Sequence, residues 1–379
     1  MNILAINWQC IKNPMSGGAE VHFQEIFKKI VEMGHTVTLL ACEFEGAKNE
    51  EIIDGIRVLR KGNRNTFNFT VKNFYKEISS QEQFDIVIDD INKIPFYTPL
   101  FVKEPLLCIS HHFFGTSIFR EANFIAGSYV IFAEWLMKFI YKKSDFVVVS
   151  QSTLDEFKEK GFNTKKISII YNALDHKYFH FELSEKPAEP TVTYFGRLKK
   201  YKSVDHLFYA FANVLKKYPN AKLKIMGKGD FRPALEKIAK ELNIENSVCF
   251  LGFVKDEDKC FELGNSHCVV NPSMKEGWGI TNLEANACGT LVISANSPGL
   301  RDSVKHGESG LLYEYGNIEE LTNCILQILD DENYRIKLSE GAIQWAKSFD
   351  WNTSAKQMLA KCEEVIKDSK FKIRNNLSP

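Results

Sequence analysis

The sequence lacks an excess of charge of either sign, because 48 Lys and Arg are matched by 48 Asp and Glu. A chain with no net charge has no global attraction for a polyanion, so nucleic-acid binding is not expected. Paired cysteine motifs are also missing. Nine cysteines are scattered singly from Cys10 to Cys362, an odd number with no CxxC or Cys/His spacing. That pattern indicates neither a disulfide framework nor a metal site, and it fits reduced thiols in a reducing cytosol. No hydrophobic run is long enough to matter: the uncharged stretch from Asn123 to Ala133 falls short of the roughly 20 residues that cross a bilayer. The opening MNILAINWQC carries no basic leader and reads as a β-strand. Secreted and integral-membrane classes are therefore set aside in favour of a cytoplasmic protein. Tandem repeats and low-complexity segments are absent as well.

What the sequence has is size and alternation. Its 379 residues suggest two to three domains at about 150 residues each. Hydrophobic residues make up 44%, and 29 Phe against 13 Tyr and 5 Trp promise sizeable cores. Short apolar runs alternate with helical runs. Asn2 to Asn7 reads as a strand and Ala19 to Met33 as an amphipathic helix stopped at Gly34. Thr36 to Ala41, Asp85 to Asp89, Leu106 to Ser110, Phe146 to Ser150 and Ile167 to Tyr171 read as further strands. They barely alternate, as strands covered on both faces do not. A charged, Pro-bearing stretch from Glu182 to Pro190 is the best linker. A second series follows, with strands at Thr191 to Phe195, Leu223 to Met226, Val248 to Phe250, Cys268 to Asn271 and Leu291 to Ser294. The expected class is α/β, two Rossmann-like domains of parallel sheet facing across a cleft. Residues 1–185 form the first, 186–345 the second, and 346–379 a C-terminal helix packing back on the first. A helical run is read over Ala342 to Lys367, and 375–379 read as frayed.

Three loops carry candidate chemistry. Gly17 and Gly18 fall between the first strand and the first helix, where a ligand can approach backbone and a helix N-terminus favours an anion; a plain βα turn fits as well. Neither this segment nor Gly227-Lys228-Gly229 is GxGxxG, which counts against a dinucleotide dehydrogenase. Arg197 and Lys202, in Phe195-Gly196-Arg197-Leu198-Lys199-Lys200-Tyr201-Lys202-Ser203, close a parallel strand at the end where α/β sheets bind ligands. A planar guanidinium beside a point charge suits a diphosphate, though a solvated basic loop looks the same. The most informative loop is Pro272-Ser273-Met274-Lys275-Glu276-Gly277-Trp278-Gly279-Ile280-Thr281-Asn282-Leu283-Glu284-Ala285. Glu276 stands in its Gly-rich part and Glu284 inside the next helix. Carboxylates accept hydrogen bonds from sugar hydroxyls, while free N–H groups near Gly279 and Ile280 can take a phosphate. A hydrolase acid/base pair is the naive alternative. His111 ends a first-domain strand, where position favours a site role over a core one. Asp89-Asp90 could be a metal pair, but a turn or helix N-cap is the better reading.

Taken together, these residues resemble the family 4 retaining glycosyltransferases of GT-B fold, also described as glycosyl transferases group 1. The likeness rests on the GG loop, the mid-domain His, G-R-L-x₃-Y-K and E-G-W-G-I-x₃-E-A-x-A-C-G-T. It closes on Ser309-Gly310-Leu311-Leu312 and runs from Gly17 to about Tyr313. The resemblance implies that Arg197 and Lys202 hold the donor diphosphate and that Glu284 takes the ribose. Glu276, with the backbone of Gly277, Trp278, Gly279 and Ile280 and with Thr281, takes the transferred sugar. It places His111 toward the donor sugar and Gly17, Gly18, Gly196 and Gly227 along the donor. Asn172, in Tyr171-Asn172-Ala173-Leu174-Asp175, resembles the family's N-G-V-D turn. No cofactor and no metal are implied, since Arg and Lys neutralise the departing charge. Three departures stand out: Ser203 where Gly is usual, Asn286 in an apolar E-A-M-A, and Ser297-Pro298-Gly299-Leu300-Arg301-Asp302 in place of G-G-x-x-E.

The expectation is a metal-independent retaining glycosyltransferase that moves a hexose-type sugar from a UDP- or GDP-sugar to a glycan or lipid-linked glycan acceptor. The alternatives are a nucleotide-sugar epimerase of the same fold and a non-catalytic nucleotide-sugar-binding subunit. The segment Phe124 to Lys143, with Trp135, Phe139 and Tyr141 fringed by Lys138, Lys142 and Lys143, reads as an ordinary packed helix or as a peripheral contact with an anionic membrane.

Overall fold

The computed structural model of the protein describes residues 1–376 apart from Lys93, His180 and Ser184. Of the frayed end expected over 375–379, residues 375 and 376 still belong to the last helix, and 377–379 lie outside the described residues. The chain divides into two compact units. One holds residues 1–172 together with the segment from Trp351; the other is Ala173–Asp350.

In the first unit, β1 (Asn2–Ile6) leads into α1 (Gly18–Glu32). β2 (Thr36–Ala41), β3 (Glu50–Ile53) and β4 (Ile56–Arg60) precede α2 (Phe67–Ser79). β5 (Ile86–Ile91), β6 (Leu106–Ser110), α3 (Phe124–Ile140), β7 (Asp145–Val148), α4 (Gln151–Glu159) and β8 (Ile167–Ile169) complete its N-terminal part. The strand order is β3-β4-β2-β1-β5-β6-β7-β8, parallel except for β3 against β4. Ile3 to Ile6 and Ile86 to Ile88 are wholly buried, which is why those strands show no polar alternation. The β3–β4 hairpin escapes the apolar-run reading because Glu50 and Glu51 stand on an exposed edge strand.

The second unit alternates strand and helix as far as β13: β9 (Thr191–Phe195), α5 (Val204–Val214), β10 (Lys222–Met226), α6 (Arg232–Glu241), β11 (Val248–Gly252) and α7 (Asp256–Gly264). β12 (Cys268–Asn271), α8 (Ile280–Ala287), β13 (Val292–Ala295), β14 (Gly310–Tyr313), α9 (Ile318–Asp330) and α10 (Glu332–Lys347) follow. Its six strands are all parallel in the order β11-β10-β9-β12-β13-β14. The order reverses between β9 and β12, so the crevice at their C-terminal ends is where such a sheet takes a ligand.

The last helix, α11 (Trp351–Asn376), packs on α1. The helical run expected over Ala342 to Lys367 is thus two helices, interrupted at Ser348 to Asp350 where the chain leaves one unit for the other.

Candidate functional site

The switch point of the second sheet brings the two sequence-distant loops together. After β9 the chain runs through Gly196 and Arg197; after β12 it runs through Glu276. Lys202 Nζ hydrogen-bonds and ion-pairs with Glu276 Oε1, both side chains largely withdrawn from water. Burial alone would lower the pKa of the Lys202 ammonium. The Glu276 carboxylate, aided by Tyr201 and Tyr194, more than offsets this and leaves it raised above its ordinary value. Two close neighbours of this kind are far stronger inside a protein than in water.

Backbone fixes both loops. Gly196 N–H donates to the Met226 carbonyl at 2.9 Å, and Leu198 N–H to that of Lys228 at 2.9 Å. The exposed Arg197 sits between those two bonds. Gly227 lies at φ +143, and a Cβ there would stand 1.9 Å from the Gly196 carbonyl oxygen. The β10 loop can press against the β9 loop only because that residue has no side chain. On the other side, Glu276 N–H donates to the Pro298 carbonyl at 3.1 Å. A Cβ at Gly299 would fall 2.1 Å from the Glu276 carbonyl oxygen. The Ser297 to Asp302 turn, one of the departures from the family pattern, is therefore the brace that holds Glu276 in place.

Gly279 caps α8 in the left-handed region. The first turn of α8 is tied to the sheet by amides the motif reading passed over. Asn271 Nδ2 donates to Asn282 Oδ1 at 2.9 Å and to Thr281 Oγ1 at 3.3 Å, and Asn282 Nδ2 donates to Ser303 Oγ at 2.9 Å. Gly277 continues the loop, while the Trp278 ring is buried edge-on against Phe349, centroids 5.4 Å apart. Farther along α8, Glu284 Oε1 meets Lys259 Nζ of α7 at 2.7 Å. Ser203 lies at φ +50, a conformation that disfavours side chains and explains why Gly is usual there. Its hydroxyl is 2.8 Å from the Tyr315 phenol oxygen.

The remaining expected residues belong to the first unit, and their geometry is described within it. His111 follows β6, and its Nε2 lies 2.8 Å from Asp90 Oδ1. Asp90 Oδ2 accepts from Asn7 Nδ2 at 2.8 Å, across the β1–β5 switch point. Asp89 and Asp90 are thus not a turn or a cap: both lie inside β5, fully buried. Asp89 Oδ2 accepts from Thr98 Oγ1 and from the Tyr141 hydroxyl at 2.7 Å. Burial first, and the charge of Asp90, push its carboxyl up to about 7 against those two hydrogen bonds. The buried His22 ring stands 5.1 Å from that of His111, and burial, with His111 beside it, holds its pKa well below the ordinary value.

At the N-terminus of α1, Gly17 N–H donates to Glu20 Oε2 at 2.6 Å, so the protein's own carboxylate meets the amide expected to face an anion; Gly18 is exposed. Asn172 is buried with no partner for its Oδ1. Among the described residues no group of three or more His, Cys, Asp or Glu is placed to hold a metal ion.

Two family models fit the chain side by side: Glycosyltransferase Family 4 over residues 16–178 and Glycosyl transferases group 1 over 175–345. The chain is a group 1 glycosyltransferase. An uncharacterized glycosyltransferase of Methanocaldococcus jannaschii is 26% identical to it over 380 residues, covering 94% of this chain and 96% of that one. Several other curated relatives match over less than half of their own length.

Among solved structures, sucrose-phosphate synthase from Thermosynechococcus elongatus superposes with a TM-score of 0.83 at 19% identity, covering 97% of this chain and 99% of that one. Anabaena HepE, solved in complex with UDP and glucose, gives 0.74 at 20% identity over 96% and 100%. The fold of the glycosyltransferase is thereby GT-B. Among its described residues no helix is long and apolar enough to cross a membrane. Asn271 and Asn282, which sequence reading missed, and Asp90, which it took for a turn or a cap, each act through a neighbour from another element, and no local spacing announces such a partner. Glu20 differs: it stands three residues after Gly17, the spacing of a capping box.

Proposed function

We propose that this glycosyltransferase moves a hexose-type sugar from a UDP- or GDP-linked donor to a glycan or lipid-linked glycan, with retention at the anomeric carbon. The observation that supports it best is the Lys202–Glu276 pair beside Arg197 at the switch point of the second sheet. When the bond from the sugar's anomeric carbon to the diphosphate breaks, negative charge grows on the phosphate. Arg197 and Lys202 stabilise that charge from fixed positions, with no cost of reorganisation at the moment of transfer. Glu276 accepts from hydroxyls of the transferred sugar, together with the amides of Gly277 to Ile280 and with Thr281. Glu284 accepts from the ribose, and Gly196 and Gly227 let the backbone come close to the diphosphate.

In this reading the second unit is the donor side and the first the acceptor side. His111 is oriented by Asp90 and serves the sugar, while Gly17, Gly18 and Asn172 line the first unit's contribution. The leaving phosphate takes the acceptor's proton, so no protein nucleophile and no metal are assigned. HepE's complexes with UDP and with UDP-glucose support a nucleoside diphosphate sugar as the donor class. The test is a thermal-shift panel of such sugars in the presence of EDTA, because a ligand raises the melting temperature by binding the native state. One donor class is expected to give a clear shift; no shift with any would overturn the reading.

The α3 helix supports a peripheral place at the inner membrane face. Phe124 and Ile125 are 77% and 82% exposed, and Phe132, Trp135 and Phe139 continue the exposed stripe. Lys138 Nζ lies 4.9 Å from the Phe139 centroid, and Lys142 and Lys143 follow, exposed. Aromatic and basic residues on one helix suit an anionic lipid surface. Flotation with phosphatidylglycerol vesicles should carry the protein upward; recovery wholly in the soluble fraction would remove this part.

A further inference from the structure

Two thiols meet on the nucleoside side of the second unit. Cys260 lies on α7 and Cys288 caps the C-terminus of α8, their sulfurs 3.3 Å apart, with the Cys288 S–H donating to Cys260. Cys260 in turn donates to the Tyr178 carbonyl at 3.2 Å. A disulfide is about 2 Å long, so the two sulfurs need only come about 1 Å closer to bond.

The two sulfurs are not equivalent. Cys260 is partly exposed and Cys288 is buried behind it. The hydrogen bond from Cys288 lowers the Cys260 pKa, against a smaller effect of burial and with help from the Lys259 ammonium. The same bond, with burial, raises Cys288. Elsewhere burial pushes the thiols of Cys268 and Cys362 the other way, up to about 12. An accessible sulfur that ionises first, backed by a protected thiol, is the arrangement of an attacking and a resolving cysteine.

The pair also has a neighbour with a job. Lys259, the residue before Cys260, holds Glu284, one helical turn before Cys288. Among the described residues, an ion pair and a thiol pair thus stand side by side across the seam between α7 and α8.

We propose that Cys260 and Cys288 form a reversible disulfide that fastens α7 to α8, keeps Lys259 on Glu284 and so weakens binding of the donor nucleotide. The disulfide stands on the thiol geometry alone; its effect on affinity rests on the reading of Glu284 as the ribose carboxylate. With hydrogen peroxide as oxidant, the Cys260 thiolate attacks one peroxide oxygen and hydroxide leaves, giving a sulfenic acid. The Cys288 sulfur then attacks the sulfenic sulfur, and the oxygen departs as water. Two thiols and one peroxide become one disulfide and two waters. A dithiol reductant reverses the bridge by exchange.

The experiment uses the whole chain, first reduced and then treated with hydrogen peroxide. Mass spectrometry after alkylation should show a loss of about 2 Da and one cross-linked peptide pair joining Cys260 to Cys288, reversed by dithiothreitol. Cys288→Ala should instead leave a dimedone-reactive sulfenic acid at Cys260, and Cys260→Ala should show neither product. Both thiols alkylated after peroxide, or a different pair bridged, in protein that keeps its circular dichroism, would overturn the disulfide.

UDP and GDP are then titrated calorimetrically into reduced, oxidised and re-reduced protein. Oxidation should weaken binding about tenfold, as expected when a hydrogen bond to an ionised carboxylate is lost, and reduction should restore it. A bridge that forms without changing affinity would overturn the coupling to Glu284. If neither nucleotide binds even the reduced protein, the donor reading and the affinity half fall together, and the mass data alone decide the disulfide.

Discussion

Lys202 and Glu276 each make the other tolerable. A lysine this withdrawn from water would lose charge through burial, and the carboxylate opposite reverses that tendency. Because its folded pKa lies above its unfolded one, the stability Lys202 contributes is fully present below about pH 10 and is lost only as pH rises through the raised value. The lysine therefore keeps its charge at any pH where an assay would be run. Replacing Arg197, Lys202 or Glu276 by Ala should lower turnover by roughly two to three orders of magnitude, the scale of losing a preorganised charge-stabilising group. The circular dichroism should be unchanged. Wild-type rates in all three would remove these residues from the reaction. The Lys and Glu were legible as residue types in a motif; their pairing was not, since 74 positions separate them and only the strand order joins them.

At the scale of elements, the β9 and β10 loops act as one piece. Two interloop hydrogen bonds flank Arg197, and Gly227 admits no side chain between them. Gly227→Ala must push the loops apart, which should cost about 2–4 kcal/mol and weaken UDP and GDP binding together. Gly34→Ala is the control. Gly34 also has positive φ but nothing within 4 Å of its Cβ position, so only the backbone strain of about 1 kcal/mol is expected, with binding untouched. Equal losses in melting temperature and equal affinities for the two variants would refute the close-approach argument.

β5 carries a second prediction. Asp89 holds its proton up to about pH 7 in the fold, against an ordinary 3.8 in the unfolded chain. Between those values the unfolded chain releases a proton that the folded one keeps, so rising pH favours unfolding across that window and levels off above it. Asp89→Asn has no proton to lose. Its stability relative to wild type should climb by about 1 kcal/mol per pH unit from pH 4 to pH 7 and stay flat beyond, read by thermal melts at each pH. A difference independent of pH would show that Asp89 is ionised throughout. Nothing local marks Asp89 as buried. In sequence, two adjacent acids look like a turn, and only the helices covering both faces of the sheet make them interior.

The molecule as a whole is held by two sets of cores, one per unit, and by a chain that leaves the first unit after Asn172 and returns at Trp351. The alternation of strands and helices was readable because parallel strands buried on both faces leave unbroken apolar runs. The break between α10 and α11 was not, because apolar spacing continues straight through it. Its cause is two aromatic anchors two residues apart: Phe349 packs on Trp345 and Trp278 in the second unit, while the Trp351 ring lies 6.1 Å from His22 in the first. One continuous helix cannot serve both.

From Trp351 on, Ala355, Met358, Cys362 and Val365 follow at helical spacing, all buried. Ser354 Oγ donates to the Tyr171 carbonyl at 2.9 Å. Burying the larger of those side chains contributes about 1.5–3 kcal/mol each, which in sum rivals the 5–15 kcal/mol stability of a typical domain. Removing the chain from Trp351 onward should therefore abolish the calorimetric transition of the first unit. The second unit should still melt as before and persist in limited proteolysis as a resistant fragment over about 173–350. If both transitions survived the truncation, α11 would be a passenger on α1, and the return of the chain would have no bearing on how the first unit stands.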